Sequence, residues 1–137
     1  MNVIIFGPPG AGKGTQAQNI VKKFNLFQIS TGDLLRNEVK NQTDIGKHIE
    51  NIISKGDFAT DDIVNELIKN VISDIQKKNK LIFDGYPRSL NQAKNLDILL
   101  KASNQKIDFV FFLNVHKDTI IKRIEKRKII EKRSDDN

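Results

Sequence analysis

Residues 2–15 read NVIIFGPPGAGKGT. Residues 2–7, apolar and β-branched and halted by a glycine-rich turn, predict a buried strand. Gly7-x-x-x-x-Gly12-Lys13-Gly14-Thr15 nearly fits the phosphate-cradling pattern G-x-x-x-x-G-K-[ST]. Gly14 stands where that pattern has Ser or Thr, and Thr15 follows one place later. Glycines let the backbone take positive φ, so successive N–H groups can converge on phosphate oxygens. A helix beginning at Lys13 directs its positive dipole end at the same anion. Lys13 adds a point charge for the β and γ phosphates. Gly10, Ala11, Gly12, Lys13, Gly14 and Thr15 are therefore the expected polyphosphate cradle. Without a hydroxyl directly after Lys13, Mg²⁺ is expected to be held by water and nucleotide phosphates rather than by the loop.

Outward from this loop, strand and helix patterns alternate. A helix is predicted over 13–23, a short strand over 27–30, and a helix to about Lys40 capped by Thr31 or Asp33. Another runs from Thr43 or Asp44 to about Ser54, where Gly56 ends it. Asp61 or Asp62 caps the next, whose apolar positions are Ile63, Val64, Leu67, Ile68, Val71 and Ile72. KLIFDG (80–85) is a buried strand, Ser89 caps a helix through about Leu100, and DFVFFLNV (108–115) is a strongly apolar strand. A basic helix is expected over about 117–127. This alternation implies βαβ crossovers and a parallel sheet covered on both faces. Ligands bind such sheets at the carboxyl ends of the strands, and Gly7, Ser30, Asp84 and Val115 lie at or near those ends.

With 137 residues the chain suits one domain with a real core. Its 38% apolar and 29% charged content is that of an ordinary globular protein. The absence of cysteine excludes disulfides and thiolate metal sites. The start lacks a basic n-region and no run reaches membrane-spanning length, so a cytoplasmic location and no membrane partner are expected. The net charge of +6 admits nucleic acid or small phosphorylated partners. Aromatics are only 7%, with no Trp and one Tyr, which disfavours single-stranded nucleic acid as a partner.

Three segments, GPPGAGKGT (7–15), STGDLLR (30–36) and FDGYPRS (83–89), together resemble the adenylate kinase family, and their spacing fits as well. The resemblance runs over essentially the whole chain. It implies an α/β fold, a P-loop NTPase-type parallel sheet flanked by helices. The core would comprise 1–29 and 60–126, a helical segment binding the nucleoside monophosphate 30–59, and a short lid 127–134. The implied reaction is reversible phosphoryl transfer from Mg·ATP to AMP, giving two ADP. Thr31, Arg36, Gly85, Tyr86, Pro87 and Arg88 would then bind AMP, and Asp57-Phe58-Ala59 would line its adenine pocket. Gln92 would read the adenine edge through paired hydrogen bonds. Asp84, ending a buried strand, would meet Mg²⁺ through water. Asp33 is read as a helix cap, and His48 and His116 are assigned nothing.

Phosphoryl transfer asks chiefly that two anions be held in line while charge spreads over the transferring group. Arginine suits that task through its permanent charge and planar fork. By resemblance Arg36 and Arg88 hold the acceptor phosphate, Arg123 and Arg127 bind ATP, and Arg133 reaches AMP and the transferring group. Only KIIEK separates Arg127 from Arg133, as in the short-lid form. Ser134 or Asp135 reads as a cap with no helix after it, so a C-terminal strand and helix are expected to be missing. That would leave 108–115 as an exposed apolar edge, and the chain by itself would bind nucleotide but catalyse poorly. The complete protein is expected to be a monomer. The rival acceptor is UMP or CMP, against which Thr31 and Gln92 argue. A non-catalytic nucleotide-binding fragment is disfavoured by the five arginines retained. A nucleic-acid-binding protein would need a continuous basic face, which the sequence does not require.

Overall fold

The computed structural model describes residues 1–8, 10–57 and 59–114. Four strands, β1 (Asn2–Phe6), β2 (Phe27–Ser30), β3 (Leu81–Asp84) and β4 (Phe109–Phe112), form one sheet in the order β2-β3-β1-β4. All pairings are parallel, with Ile5 and Ser30 both in register with Asp84. Among the described residues the helices are α1 (Lys13–Phe24), α2 (Thr31–Lys40), α3 (Asp44–Ser54), α4 (Asp61–Ile72) and α5 (Leu90–Ala102). A 3₁₀ turn at Ile75–Lys77, which the sequence pattern does not announce, precedes β3. The predicted basic helix over 117–127 lies outside the described residues.

Alternation along the strands builds two cores. Ile4, Ile29, Leu81 and Phe83 face α4 and α5, where Ile68, Leu96 and Leu100 are buried. Val3, Ile5 and Ile82 face the other way, onto Ala17 of α1 and Leu26. Each fully buried aliphatic side chain stabilises the fold by about 1.5–3 kcal/mol. The sheet is closed at its amino-terminal end by a polar clasp. Asn2 is fully buried: its Oδ1 accepts from Leu81 N at 3.2 Å, and its Nδ2 donates to Gln105 Oε1 and Lys106 O, each at 3.1 Å. Gln105 Oε1 also accepts from Asn79 N at 3.0 Å. β1, β3 and the approach to β4 are thereby tied through one side chain.

Within the apolar stretch over 108–115, strand is found at Phe109–Phe112 among the described residues. Among the described residues β4 pairs with β1 alone, and Phe109, Val110, Phe111 and Phe112 are all exposed. The apolar edge expected there is present on these residues.

Helix starts depart from expectation in two places. Thr60, not Asp61 or Asp62, caps α4, its hydroxyl accepting from Ile63 N. For α2 the N-cap is Ser30, with no side-chain cap bond. Thr31 and Asp33 are therefore first-turn residues of α2. Asp33 still complements the helix dipole there, but its carboxylate is engaged by Arg36. Thr43 and Ser89 cap α3 and α5 as the sequence predicts.

α2 and α3 pack closely against each other. Thr43 Oγ1 accepts from Gly46 N at 2.9 Å and donates to the Glu38 carbonyl and carboxylate. A Cβ on Gly46 would sit 1.9 Å from the Glu38 carbonyl oxygen, so the two backbones meet where only glycine fits.

Candidate active site

All four strands end at one edge of the sheet, and the phosphate-loop pattern occupies that edge beyond β1. Gly10 has φ 82° and Gly12, the N-cap of α1, has φ 86°. These left-handed positions turn the chain sharply enough for Ala11 N to donate to Pro8 O at 3.1 Å. Ala11 is buried under the turn. α1 receives no side-chain cap and has no acidic residue in its first turn. Its leading N–H groups and dipole are therefore left for an anion. A Cβ added at Gly14 would meet nothing within 4 Å, and Thr15 beside it is exposed. Gly7 is tighter, with its Cβ position 3.2 Å from Leu113 Cβ.

Lys13 reaches from α1 to the end of β3, where its Nζ meets Asp84 Oδ1 at 2.5 Å. Both side chains are largely buried, with relative exposures of 24% and 12%. Asp84 Oδ2 accepts from Gln28 Nε2 at 3.0 Å, so both carboxylate oxygens are partnered. Gln28 was not identified from the sequence; nothing marks a glutamine in a four-residue strand until β2 and β3 are known to be neighbours. Lys13 keeps two further N–H donors beyond the one given to Asp84.

Gly85 follows with φ 77°, turning the chain so that Arg88 folds back. Arg88 Nε donates to Gly85 O at 2.7 Å. A Cβ on Gly85 would lie 3.2 Å from Arg88 Nη2 and 3.9 Å from Lys13 Nζ. A lysine from the phosphate loop and an arginine from the β3–α5 connection thus converge on the same glycine. Between them the chain passes through fully buried Tyr86 and a cis peptide to Pro87. Burial pushes the Tyr86 phenol above its ordinary value, with Asn95 opposing and the Asp61 charge reinforcing the shift.

Gln92, near the start of α5, is buried and its amide is held at both ends. Its Oε1 accepts from Arg88 N at 2.7 Å and its Nε2 donates to Asp61 Oδ1 at 2.9 Å. Thr31 begins α2 and lines a narrow cleft with Leu34, Leu35, Val64 and Leu67. Arg36, on the same helix, is exposed and folded back over Gly32, with its Nη2 on Asp33 Oδ1 at 2.6 Å. Asp57 is exposed and Ala59 half-buried in the connection from α3 to α4. Phe58, Arg123, Arg127 and Arg133 lie outside the described residues.

Among the described residues no cluster of three or more His, Asp or Glu side chains could cage a metal. A single, mostly buried carboxylate at the strand end fits an ion held chiefly by nucleotide phosphates and water, with Asp84 meeting it through a water. No described helix is long and apolar enough to cross a membrane. A broad concavity touching Met1, Asn79, Gln105 and Asp108 lies at the opposite end of the sheet, beside the Asn2 clasp.

Comparison with known proteins agrees with this arrangement. The adenylate kinase family model matches residues 5–137. An adenylate kinase of Pelagibacter ubique is 56% identical over 132 residues, covering 96% of this chain and 62% of the relative. One from Mycoplasma capricolum is 44% identical over 127 residues, covering 93% and 59%, and one from Caulobacter vibrioides is 42% identical over 137 residues, covering 100% and 72%. The chain spans about three fifths of the length of the first two of these relatives. From the phosphate loop through the strand-end cations to the end of the sequence, this chain belongs to the adenylate kinase family.

Proposed function

We propose that the chain carries the nucleotide sites of an adenylate kinase, which moves the γ-phosphoryl group of Mg·ATP to AMP. An oxygen of the AMP phosphate attacks the γ phosphorus as the bond to the β,γ-bridging oxygen breaks. One ADP leaves and the other is formed. The observation that carries this reading is the convergence of Lys13 and Arg88 on Gly85, one cation from the phosphate loop and one from the connection after the third strand. Two polyanions meeting head to head need cationic groups in just such a position, since catalysis here is chiefly alignment and charge stabilisation.

In this reading Gly10 to Thr15 bind the ATP phosphates through backbone N–H groups, and Lys13 bridges from Asp84 to the β and γ phosphates. Arg88 and Arg36 hold the AMP phosphate. Arg36 must leave Asp33 to do so, a small loss because an exposed ion pair contributes little. Thr31, the 57–59 segment, Gly85, Tyr86, Pro87 and Gln92 surround the AMP nucleoside. Mg²⁺, when bound with ATP, neutralises phosphate charge, and Asp84 is the residue that would orient its waters. Residues 30–59 form the acceptor segment, Arg127 and Arg133 belong to the short lid at 127–134, and Arg123 precedes it in the core. We also place the enzyme in the cytoplasm as a monomer with small nucleotides as its partners.

The test is ADP formation from Mg·ATP with AMP, UMP or CMP, together with calorimetric binding of each nucleotide. Turnover or binding selective for AMP is the expected result. Preference for UMP or CMP refutes the acceptor assignment, and failure to bind any nucleotide refutes the site.

A further inference from the structure

We propose that Asp61 sets the purine specificity of the acceptor site by fixing which way round the Gln92 amide lies. This rests on the proposed function, in which Gln92 faces the base of the acceptor nucleotide.

A glutamine amide has two N–H donors on nitrogen and two lone pairs on oxygen, and it can rotate to exchange them. Here each end has a partner that tolerates one orientation only. The Arg88 backbone N–H can only donate, and it meets Oε1 at 2.7 Å. The Asp61 carboxylate can only accept, and it meets Nε2 at 2.9 Å. Turning the amide over would set N–H against N–H at one end and oxygen against carboxylate at the other. Both contacts are partly buried, where such mismatches go uncompensated by water. Asp61 is itself anchored as the first residue of α4, where the helix dipole favours its charge, and its other oxygen accepts from Asn91 Nδ2 at 3.3 Å.

After these bonds, the amide retains one N–H and one lone pair. That leftover pair is what a base can read. Adenine offers an acceptor at N1 and a donor at the 6-amino group. A 6-oxopurine offers the reverse, a proton on N1 and an acceptor oxygen at position 6. A locked amide can match one of these patterns and not the other; a freely turning amide can match both. Discrimination between an amino and an oxo purine therefore depends on the lock as much as on Gln92. Of the lock's two halves, the Arg88 N–H is backbone and present whatever the side chain. Asp61 is the half that the sequence chooses.

Asp61 is thus a positioning residue, and its removal is predicted to change selectivity more than affinity. Asp61→Asn is nearly isosteric and can offer either oxygen or N–H to Gln92. We expect the ratio of IMP to AMP dissociation constants, measured by calorimetry, to fall about tenfold, the scale of one mismatched hydrogen bond. A purely structural role for Asp61 would weaken both nucleotides alike, and an unchanged ratio with AMP still bound overturns the inference while leaving the acceptor site standing. Failure of the wild-type chain to bind AMP would overturn the site itself and this inference with it.

A second measurement needs no variant. In ¹⁵N-glutamine-labelled wild-type chain, one Gln92 side-chain proton should be protected from exchange without ligand, and AMP should protect the other. Two rapidly exchanging protons in the free chain would refute the lock.

Discussion

Gly46→Ala sets two well-characterised effects against each other. Within a helix, alanine is favoured over glycine by about 1 kcal/mol, so propensity alone predicts a more stable protein. The packing of α2 on α3 predicts the reverse. The new Cβ would lie 1.9 Å from Glu38 O, 2.4 Å from Glu38 C and 2.9 Å from Val39 N. All three are backbone atoms, so no side chain can swing aside. Ordinary contact begins near 3.4 Å, and the two helices must part by about 1.5 Å. The same Glu38 carbonyl accepts from Thr43 N and Oγ1, so parting the helices also breaks the bonds that tie the Thr43 cap to α2. Loss of such a hydrogen bond costs about 0.5–1.5 kcal/mol and forced overpacking about 1–3 kcal/mol. Set against the propensity gain, the net is a destabilisation of about 2 kcal/mol. Urea unfolding followed by circular dichroism reads this directly, and amide exchange should place the loss in α2 and α3. Because α2 carries Thr31 and Arg36, AMP affinity should fall alongside. A Gly46→Ala chain as stable as wild type would refute the close-approach argument.

Lys13→Met removes the loop's point charge while keeping its apolar stem; ATP affinity should drop about 10- to 100-fold by calorimetry, with a much smaller effect on AMP. An unchanged ATP affinity would remove Lys13 from the phosphate site. Tyr86→Phe tests the raised phenol. A group whose folded value lies above its unfolded one contributes stability that is whole below the unfolded value, near 10.0, and lost as pH rises through the folded one. Wild type should therefore lose more stability than Tyr86→Phe above pH 10, while at neutral pH the variant is about 1 kcal/mol less stable for want of the bond to Gln92 O. Equal alkaline slopes in thermal melts would contradict the shift. Phe111→Lys puts a charge on the exposed β4 edge and should lower self-association in light scattering, whereas aggregation undiminished by the charge would show that this edge is not the route.

The parts of this fold that were legible in the sequence are those written locally. β2 (Phe27–Ser30) and α3 (Asp44–Ser54) follow from short-range signals: an apolar run, a threonine cap and a glycine stop. The glycine-rich loop was equally plain because its function demands particular residue types in consecutive places. The features that escaped notice depend on neighbours distant in the chain. Gly46 looks like a weak point in a helix until α2 is laid against it. Gln28 and Asp84 are 56 residues apart and meet only because β2 and β3 are adjacent. The caps were misplaced by one residue at α4 because Thr60, Asp61 and Asp62 are all good caps, and sequence alone does not rank them.

That misplacement bears on function. Were Asp61 the cap of α4, its carboxylate would be spent on the helix's own N–H groups. With Thr60 supplying the cap through Ile63 N, Asp61 moves one position into the helix and is freed to face α5. Local helix chemistry and the proposed acceptor site therefore compete for the same carboxylate, and the threonine resolves the competition. The arrangement also joins two regions. Thr60 and Asp61 are the first residues after the proposed 30–59 acceptor segment, while Arg88 lies in the connection leaving β3 and Gln92 in the first turn of α5, so the Asp61–Gln92 bond ties the start of α4 to α5.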